Sequence, residues 1–135
     1  MSYLLDTNVC VQYLRGRNPA VQRRLERTSA QDVRVCSVVK AELYAGALRS
    51  ARPADNRAKV DVFLLPYVSL TFDDPAAEFH AHVRHHLQSA GTPIGPYDLQ
   101  IAAIALANGL TLVTHNTSEF GRVPGLVMED WEAPP

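Results

Sequence analysis

The chain has 135 residues, of which 47% are hydrophobic and 20% are charged, and its formal net charge is −1. This composition is that of a globular domain with a sizeable core, and it excludes both a disordered chain and a generally basic nucleic-acid binder. No apolar run approaches the roughly 18 residues of a membrane span, and the first residues lack the pattern of a signal peptide, so we expect a cytoplasmic protein.

Short apolar runs alternate with longer amphipathic stretches along the chain. The short runs predict strands at Tyr3–Leu5, Val33–Cys36, Val68–Leu70, Thr111–Thr114 and, as a last short one, Leu126–Met128. The longer stretches predict helices at Asn8–Leu14, Ala20–Arg27, Val38–Leu48, Pro53–Leu65, Pro75–Ala90 and Pro96–Asn108. This alternation predicts a single α/β domain over residues 1–135, with a mainly parallel sheet of four to five strands and a frayed tail from Ala133.

Several side chains are expected to be structural. Cys10 and Cys36 lie in apolar segments, so we expect buried, reduced thiols and no disulfide. Ser37 is expected to cap the third helix, and Phe79 is expected on the buried stripe of the long fifth helix. Because Phe79, Val83 and Leu87 are expected to form that stripe, the four histidines of the same helix are expected on its solvent side: His80, His82, His85 and His86. No HExxH pattern or cysteine pair lies nearby, which disfavours a zinc site there.

Two acidic residues stand out near the start of predicted helices or on their apolar faces. Asp6 lies where the first strand becomes a helix, and the carboxyl ends of parallel strands line the ligand crevice. A carboxylate in that position needs hydrogen-bond donors, a cationic partner or a metal ion. Glu42 shares a small apolar helical face with Val38 and Ala45 that should approach the sheet, although it could also reach water at the edge.

Two further acidic residues lie close to element ends. Asp98 is in the first turn of an otherwise apolar, central helix, where it could simply compensate the helix dipole. Glu119 follows the fourth strand and could belong to an ordinary capped turn. If folding gathers Asp6, Glu42, Asp98 and Glu119, their negative charges would repel one another, and a hard divalent cation such as Mg²⁺ or Mn²⁺ would remove that conflict.

Four segments carry a resemblance to a known family. In chain order they are Leu4–Asn8, Ser37–Gly46, Ile94–Asp98 and Leu112–Phe120, and Glu129-Asp130-Trp131 extends the likeness to the end of the chain. In this order they resemble the PIN-domain ribonucleases and, within those, the VapC toxins of bacterial toxin–antitoxin pairs. The resemblance implies a three-layer α/β/α domain and an Mg²⁺- or Mn²⁺-dependent endoribonuclease that cuts structured RNA, commonly tRNA, and so stops translation.

Residue by residue, the resemblance implies an active site. It places the four acidic positions of the family at Asp6, Glu42, Asp98 and Glu119, of which the last is commonly Asp in the family. Asp6 and Asp98 are then expected to hold the metal directly, and Glu42 and Glu119 directly or through water. Polar positions thought to orient carboxylates or water fall at Thr7, Asn8, Thr114 and Asn116. Hydrolysis by a metal-activated water predicts 5′-phosphate and 3′-hydroxyl ends.

The resemblance also implies partners. We expect a cognate VapB-type antitoxin whose C-terminal segment enters the active-site groove, and contact with DNA only indirectly, through the antitoxin complex. A homodimer is common in the family, and the neighbourhood of Tyr44 and Leu48 could bury its face.

Arginine supplies eleven of the thirteen cationic side chains, and five arginines lie between Arg15 and Arg27. The guanidinium group suits phosphate and stacks on bases, so Arg15, Arg17 and Arg24 are candidate RNA contacts, although solvated helix faces are the plainer explanation.

His115 lies beside the predicted site, but we favour an ordinary loop histidine. Trp131 is expected to be a core or interface plug.

Three other functions are alternatives to a nuclease. A haloacid-dehalogenase-type phosphatase needs a second Asp two residues after the first, and this chain has Asn8 there. A response-regulator receiver needs a late Lys, and no Lys follows Lys59. A catalytically weak or inactive RNA-binding or regulatory protein is the serious alternative, which the intact acidic positions disfavour.

Overall fold

Five parallel strands form the centre of the molecule. The computed structural model describes residues 1–133, so Pro134 and Pro135 of the predicted frayed tail lie outside the described residues. The strands are β1 (Tyr3–Leu5), β2 (Val33–Cys36), β3 (Val68–Leu70), β4 (Thr111–Val113) and β5 (Met128–Glu129). Their order in the sheet is β3-β2-β1-β4-β5, and each neighbouring pair is parallel. The predicted parallel sheet is therefore confirmed.

The helices fill the connections between strands. They are α1 (Thr7–Arg15), α2 (Pro19–Arg27), α3 (Ser37–Arg49), α4 (Pro53–Leu64), α5 (Asp74–Ser89), α6 (Pro96–Ala107) and the four-residue α7 (Thr117–Phe120). The six helices predicted from the pattern are all present, and each end agrees to within one residue. The short α7 was expected to be a loop, because four residues are too few for a periodic pattern.

Helices cover both faces of the sheet. Leu4 and Leu5 are both fully buried, and so are Leu112 and Val113 on the neighbouring strand. Because successive strand residues point to opposite faces, complete burial of both members of each pair requires cover on each side. Helix α5 packs against α6, and α3 packs against α1 and α4. This is the expected three-layer α/β/α arrangement.

Three local predictions were wrong. Ser37 does not cap α3: Cys36 occupies the cap position, and the exposed Ser37 hydroxyl donates instead to the carbonyl oxygen of Leu70 at 3.4 Å. The last strand begins two residues later than predicted, because Leu126 belongs to a turn in which its N–H donates to the carbonyl oxygen of Val123.

The third wrong prediction concerns α5. Phe79 is 42% exposed, and the buried stripe of this helix consists of Ala76, Val83 and Leu87, which follow a helical period in which Phe79 falls at the edge. Of the four histidines, His82, His85 and His86 are exposed as predicted, whereas His80 is half-buried with its ring 5.4 Å from the ring of Phe72: the solvent-side prediction holds only partly for it.

The strand order creates a crevice at one edge of the sheet. The chain runs outward from β1 to β2 and β3, and then returns to place β4 on the other side of β1. Ligands bind at such a reversal point, outside the carboxyl ends of the two strands, and Asp6 and Thr114 are the residues that follow β1 and β4 there.

Cys10 and Cys36 are buried free thiols, as predicted. No helix in the described part of the chain is long and apolar enough to cross a bilayer.

Candidate active site

Asp6 lies at the reversal point and is only 4% exposed. One carboxylate oxygen, Oδ1, accepts from the Thr7 N–H at 2.8 Å and so caps α1, while Oδ2 accepts from the Thr114 hydroxyl at 2.8 Å. Burial raises the pKa of Asp6, these two hydrogen bonds act in the opposite direction, and the negative charges of Glu42 and Glu119 raise the pKa further. Asp6 is thus held in place by neutral donors.

Thr7 connects Asp6 to Glu42. While its N–H binds Asp6, the Thr7 hydroxyl donates to Oε1 of Glu42 at 2.7 Å. This contact is possible because α1, which begins at Thr7, packs against α3, which carries Glu42 half-buried beside the core residue Leu43. The structure therefore brings Glu42 to the same edge of the sheet as Asp6.

Asp98 and Glu119 meet around Gly95. The Gly95 N–H donates to Oε1 of Glu119 at 2.8 Å, and the Asn116 side-chain amide donates to Oε2 at 2.7 Å. A Cβ atom on Gly95 would lie 3.6 Å from Oδ2 of Asp98 and 3.8 Å from Oε1 of Glu119, so both carboxylates border this glycine. The hydrogen bonds from Gly95 and Asn116 lower the pKa of Glu119.

The raised pKa of Asp98 indicates that the four carboxylates share one environment. Burial, followed by the charges of Asp6, Glu119 and Glu42, raises the pKa of Asp98 to about 7. Such an effect requires all three partners within electrostatic reach. We call Asp6, Glu42, Asp98 and Glu119 the acidic site.

The acidic site has no ion-pair partner of its own. Within residues 1–133 none of its carboxylates forms a salt bridge, and the one cation that lowers a pKa there, Arg122 near Glu119, acts at longer range. No three of its carboxylates, among the described residues, have oxygens all within 4.8 Å of one another. A set of oxygen donors with excess negative charge fits a hard divalent cation, which takes carboxylate ligands and water.

A groove opens beside the acidic site between α1, α3 and α4. Its lining includes Thr7, Asn8 and Glu42 together with the cations Arg15, Arg17, Arg49 and Lys59. Arg24 does not line it: this side chain pairs with Glu129 at 2.8 Å and lies over the Trp131 ring at 5.1 Å. Trp131 itself is buried, as predicted for a core plug.

Of the supporting residues predicted from the sequence, three donate hydrogen bonds to the acidic site: Thr7, Thr114 and Asn116. Asn8 is exposed and lines the groove. Sequence reasoning missed Gly95 as a backbone donor to Glu119. It also missed the contacts that His115 makes with the C-terminal segment.

Comparisons with known proteins identify the family of this chain. Residues 3–126 match the PIN domain family. Ribonuclease VapC2 of Rickettsia felis is 35% identical over 133 residues, which are 98% of this chain and 99% of that protein. The tRNA(fMet)-specific endonuclease VapC of Salmonella typhimurium is 35% identical over 131 residues, which are 97% of this chain and 98% of the relative.

Solved structures agree as well. VapBC2 from Rickettsia felis bound to a promoter DNA fragment superposes with a TM-score of 0.90 at 34% identity, covering 97% of this chain and 99% of the other. DNA-bound VapBC from Salmonella typhimurium gives a TM-score of 0.91 at 35% identity, covering 97% and 98%. The chain therefore belongs to the PIN-domain family and, within it, to the VapC ribonucleases.

Proposed function

We propose that this chain is a divalent-cation-dependent endoribonuclease toxin and that Asp6, Glu42, Asp98 and Glu119 form its active site. The observation that carries the proposal is the gathering of these four carboxylates at the reversal point of the sheet, without an ion-pair partner among the described residues. Membership of the VapC ribonucleases supplies the reaction: hydrolysis of RNA phosphodiester bonds.

The hydrogen bonds of Asp6 and Glu119 support the ligand roles that we propose. Asp6 and Asp98 would hold the cation directly: each oxygen of Asp6 accepts one hydrogen bond and keeps a lone pair, and Asp98 is half-buried within electrostatic reach of the other three carboxylates. Each oxygen of Glu119 also accepts one hydrogen bond, from Gly95 or Asn116, and Glu119 would act directly or through a water, as would Glu42. Mg²⁺, for which Mn²⁺ can substitute, would neutralise charge there and lower the pKa of a bound water.

The remaining polar residues position the carboxylates and the substrate. Thr7, Thr114 and Asn116 fix the carboxylates by hydrogen bonds, and Asn8 faces the adjoining groove. Arg15 and Arg17 line that groove and would contact RNA phosphates. Hydrolysis of this kind does not use the 2′-hydroxyl, so preference for RNA would come from shape and contacts.

The partners follow from the relatives. Because VapC proteins are found in VapBC complexes, some of them on promoter DNA, we expect a cognate VapB-type antitoxin whose C-terminal segment occupies the groove, with DNA contacted only through the antitoxin. We expect tRNA as the substrate class because one relative is named a tRNA(fMet)-specific endonuclease. We also propose that residues 1–135 act as one domain, as a homodimer, in the cytoplasm where tRNA is found.

The test is cleavage of total tRNA by the purified, tag-free chain in EDTA and then with increasing Mg²⁺. We expect cleavage only with the metal, and fragments with 5′-phosphate and 3′-hydroxyl ends. Cyclic phosphate ends, or cleavage in EDTA, would contradict the proposal. Tight RNA binding without cleavage at any Mg²⁺ or Mn²⁺ concentration would favour the alternative of an inactive RNA-binding protein.

A further inference from the structure

A second group of potential metal ligands lies next to the acidic site. His115 directly follows Thr114, and its Nδ1 atom lies 3.0 Å from Oδ2 of Asp130 and 3.7 Å from Oε2 of Glu132. In the part of the chain that the structure describes, this is the only group of three such side chains whose ligand atoms all lie within 4.8 Å of one another. The 3.0 Å contact has the length of a hydrogen bond, and the two distances bracket the roughly 3.3 to 3.6 Å that separates ligands around one tetrahedral cation. A small rotation of the exposed His115 side chain would bring the three ligand atoms to the spacing of a single ion.

The two carboxylates are held in position from behind. Trp131, which lies between them in the chain, is 3% exposed and packs edge-on against Tyr3, so the segment is anchored in the core. Oδ1 of Asp130 accepts from the Glu132 N–H at 2.9 Å, and Oε1 of Glu132 accepts from the Asn18 side-chain amide at 3.1 Å. Each carboxylate therefore uses one oxygen for its support and presents the other to His115, as outer-shell contacts do around metal sites.

The group also has excess negative charge that a cation would neutralise. The Asp130 and Glu132 side chains are only 21% and 14% exposed, and both are negative. Their one ion-pair partner within residues 1–133 is the imidazole of His115, which is positive only when protonated. A divalent cation bound to the neutral imidazole would balance both carboxylates at once.

We propose that His115, Asp130 and Glu132 bind a Zn²⁺ ion. One imidazole nitrogen and two carboxylate oxygens suit Zn²⁺, whereas Mg²⁺ prefers oxygen ligands alone. The bound ion would join the C-terminal segment to the end of β4, beside the residue that holds Asp6. This site does not depend on the function proposed above, and water would complete its coordination.

The test is calorimetric titration of the full-length, tag-free chain with Zn²⁺. The titrations are run in the Asp98→Asn background with saturating Mg²⁺, so that the acidic site contributes little. We expect one equivalent of Zn²⁺ to bind, His115→Ala and Glu132→Gln each to weaken it by about tenfold or more, and Zn²⁺ to raise the melting temperature of the parent only. His86→Ala is the matched control, because it removes an exposed histidine from α5 and should leave Zn²⁺ binding unchanged.

Equal Zn²⁺ affinity in the parent and in His115→Ala would overturn the assignment, as would loss of binding in His86→Ala. Because His115 is 64% exposed, its truncation should leave the fold intact. If it does not, Glu132→Gln, which keeps the imidazole, decides the question by the same titration.

Discussion

Two groups of carboxylates flank the end of β4, and they differ in what faces them. In the acidic site, the oxygens of Asp6 and Glu119 accept hydrogen bonds from neutral hydroxyl, amide and backbone donors. In the C-terminal segment, Glu129 pairs with the Arg24 guanidinium, while Asp130 and Glu132 face the imidazole of His115.

This difference teaches that the neighbours, and not the carboxylates, define each site. Neutral donors orient Asp6 but leave its charge uncompensated, and burial together with the charges of the other three carboxylates raises the pKa of Asp98 to about 7. The C-terminal carboxylates have cationic or titratable nitrogen partners. An all-oxygen site with excess charge suits Mg²⁺, whereas a mixed nitrogen and oxygen site suits Zn²⁺.

The largest expected effect is loss of cleavage when a carboxylate of the acidic site is neutralised. Asp6→Asn or Asp98→Asn should lower the rate of RNA cleavage roughly a thousandfold or more, with the fold intact, because a ligand is lost and the shape is kept. Asp55→Asn is the matched control, since Asp55 also lies in the first turn of a helix but pairs with Arg52 at the surface. Normal cleavage by either acidic-site variant would remove the site from the mechanism.

The next effect tests whether neutral donors hold Asp6. Thr114 is fully buried, and Thr114→Val removes both the hydroxyl that donates to Asp6 and the acceptor of the Asn116 N–H. We expect the free energy of unfolding to fall by about 1–3 kcal/mol, and cleavage to fall with it. Thr111→Val is a buried change at the start of β4, and it should lower both the free energy of unfolding and the rate of cleavage by less. Equal losses in the two variants would mean that Thr114 contributes packing alone.

A smaller effect concerns the arginines. Removing the charges of Arg15 and Arg17 together should weaken RNA binding about tenfold and reduce its salt dependence by about one counterion for each lost contact. Arg24→Gln removes the same charge from a side chain bound to Glu129, so it should change neither quantity. The measurement is RNA affinity across a salt series for the parent, the Arg15 and Arg17 double variant and Arg24→Gln. Identical slopes of log affinity against log salt concentration for all three would exclude the groove as the RNA-binding surface.

The smallest effect is on stability as a function of pH. The folded-state pKa of Asp98, about 7, lies above its ordinary 3.8, so the folded chain binds more protons than the unfolded chain between these values. The free energy of unfolding in EDTA should therefore fall as the pH rises through this window, by on the order of 1 kcal/mol once solvent screening is allowed for. Asp98→Asn should flatten the dependence in denaturant titrations, and a steeper slope in that variant would reverse the sign of our argument.

Much of the fold was predictable because it is written in local patterns. The buried apolar runs predict β1 and β4, and Gly and Pro residues mark the helix ends. Each of these features determines the conformation of residues only a few positions away in the chain. Ser37 and Phe79 were assigned wrongly because their surroundings depend on distant segments: β3 for Ser37, and the exact angle of α5 for Phe79.

The site was predictable to the extent that its side chains are chemically unusual. An acidic residue at a strand end, Asp6, and one on an apolar helix face, Glu42, are unusual in the sequence itself and therefore indicate a candidate site. The pairing of His115 with Asp130 gave no such signal, because those residues are fifteen positions apart and meet only through the register that places Val113 beside Glu129.

The most direct test of the account is the number of protons released when Mg²⁺ binds, measured by calorimetry in buffers of different ionisation enthalpy. Because Asp98 is largely protonated below its pKa of about 7, Mg²⁺ binding at about pH 6.5 should release most of one proton, and the release should disappear near pH 8.5. Absence of Mg²⁺ binding, or binding at about pH 6.5 without proton release, would contradict the claim that these carboxylates bind a divalent cation.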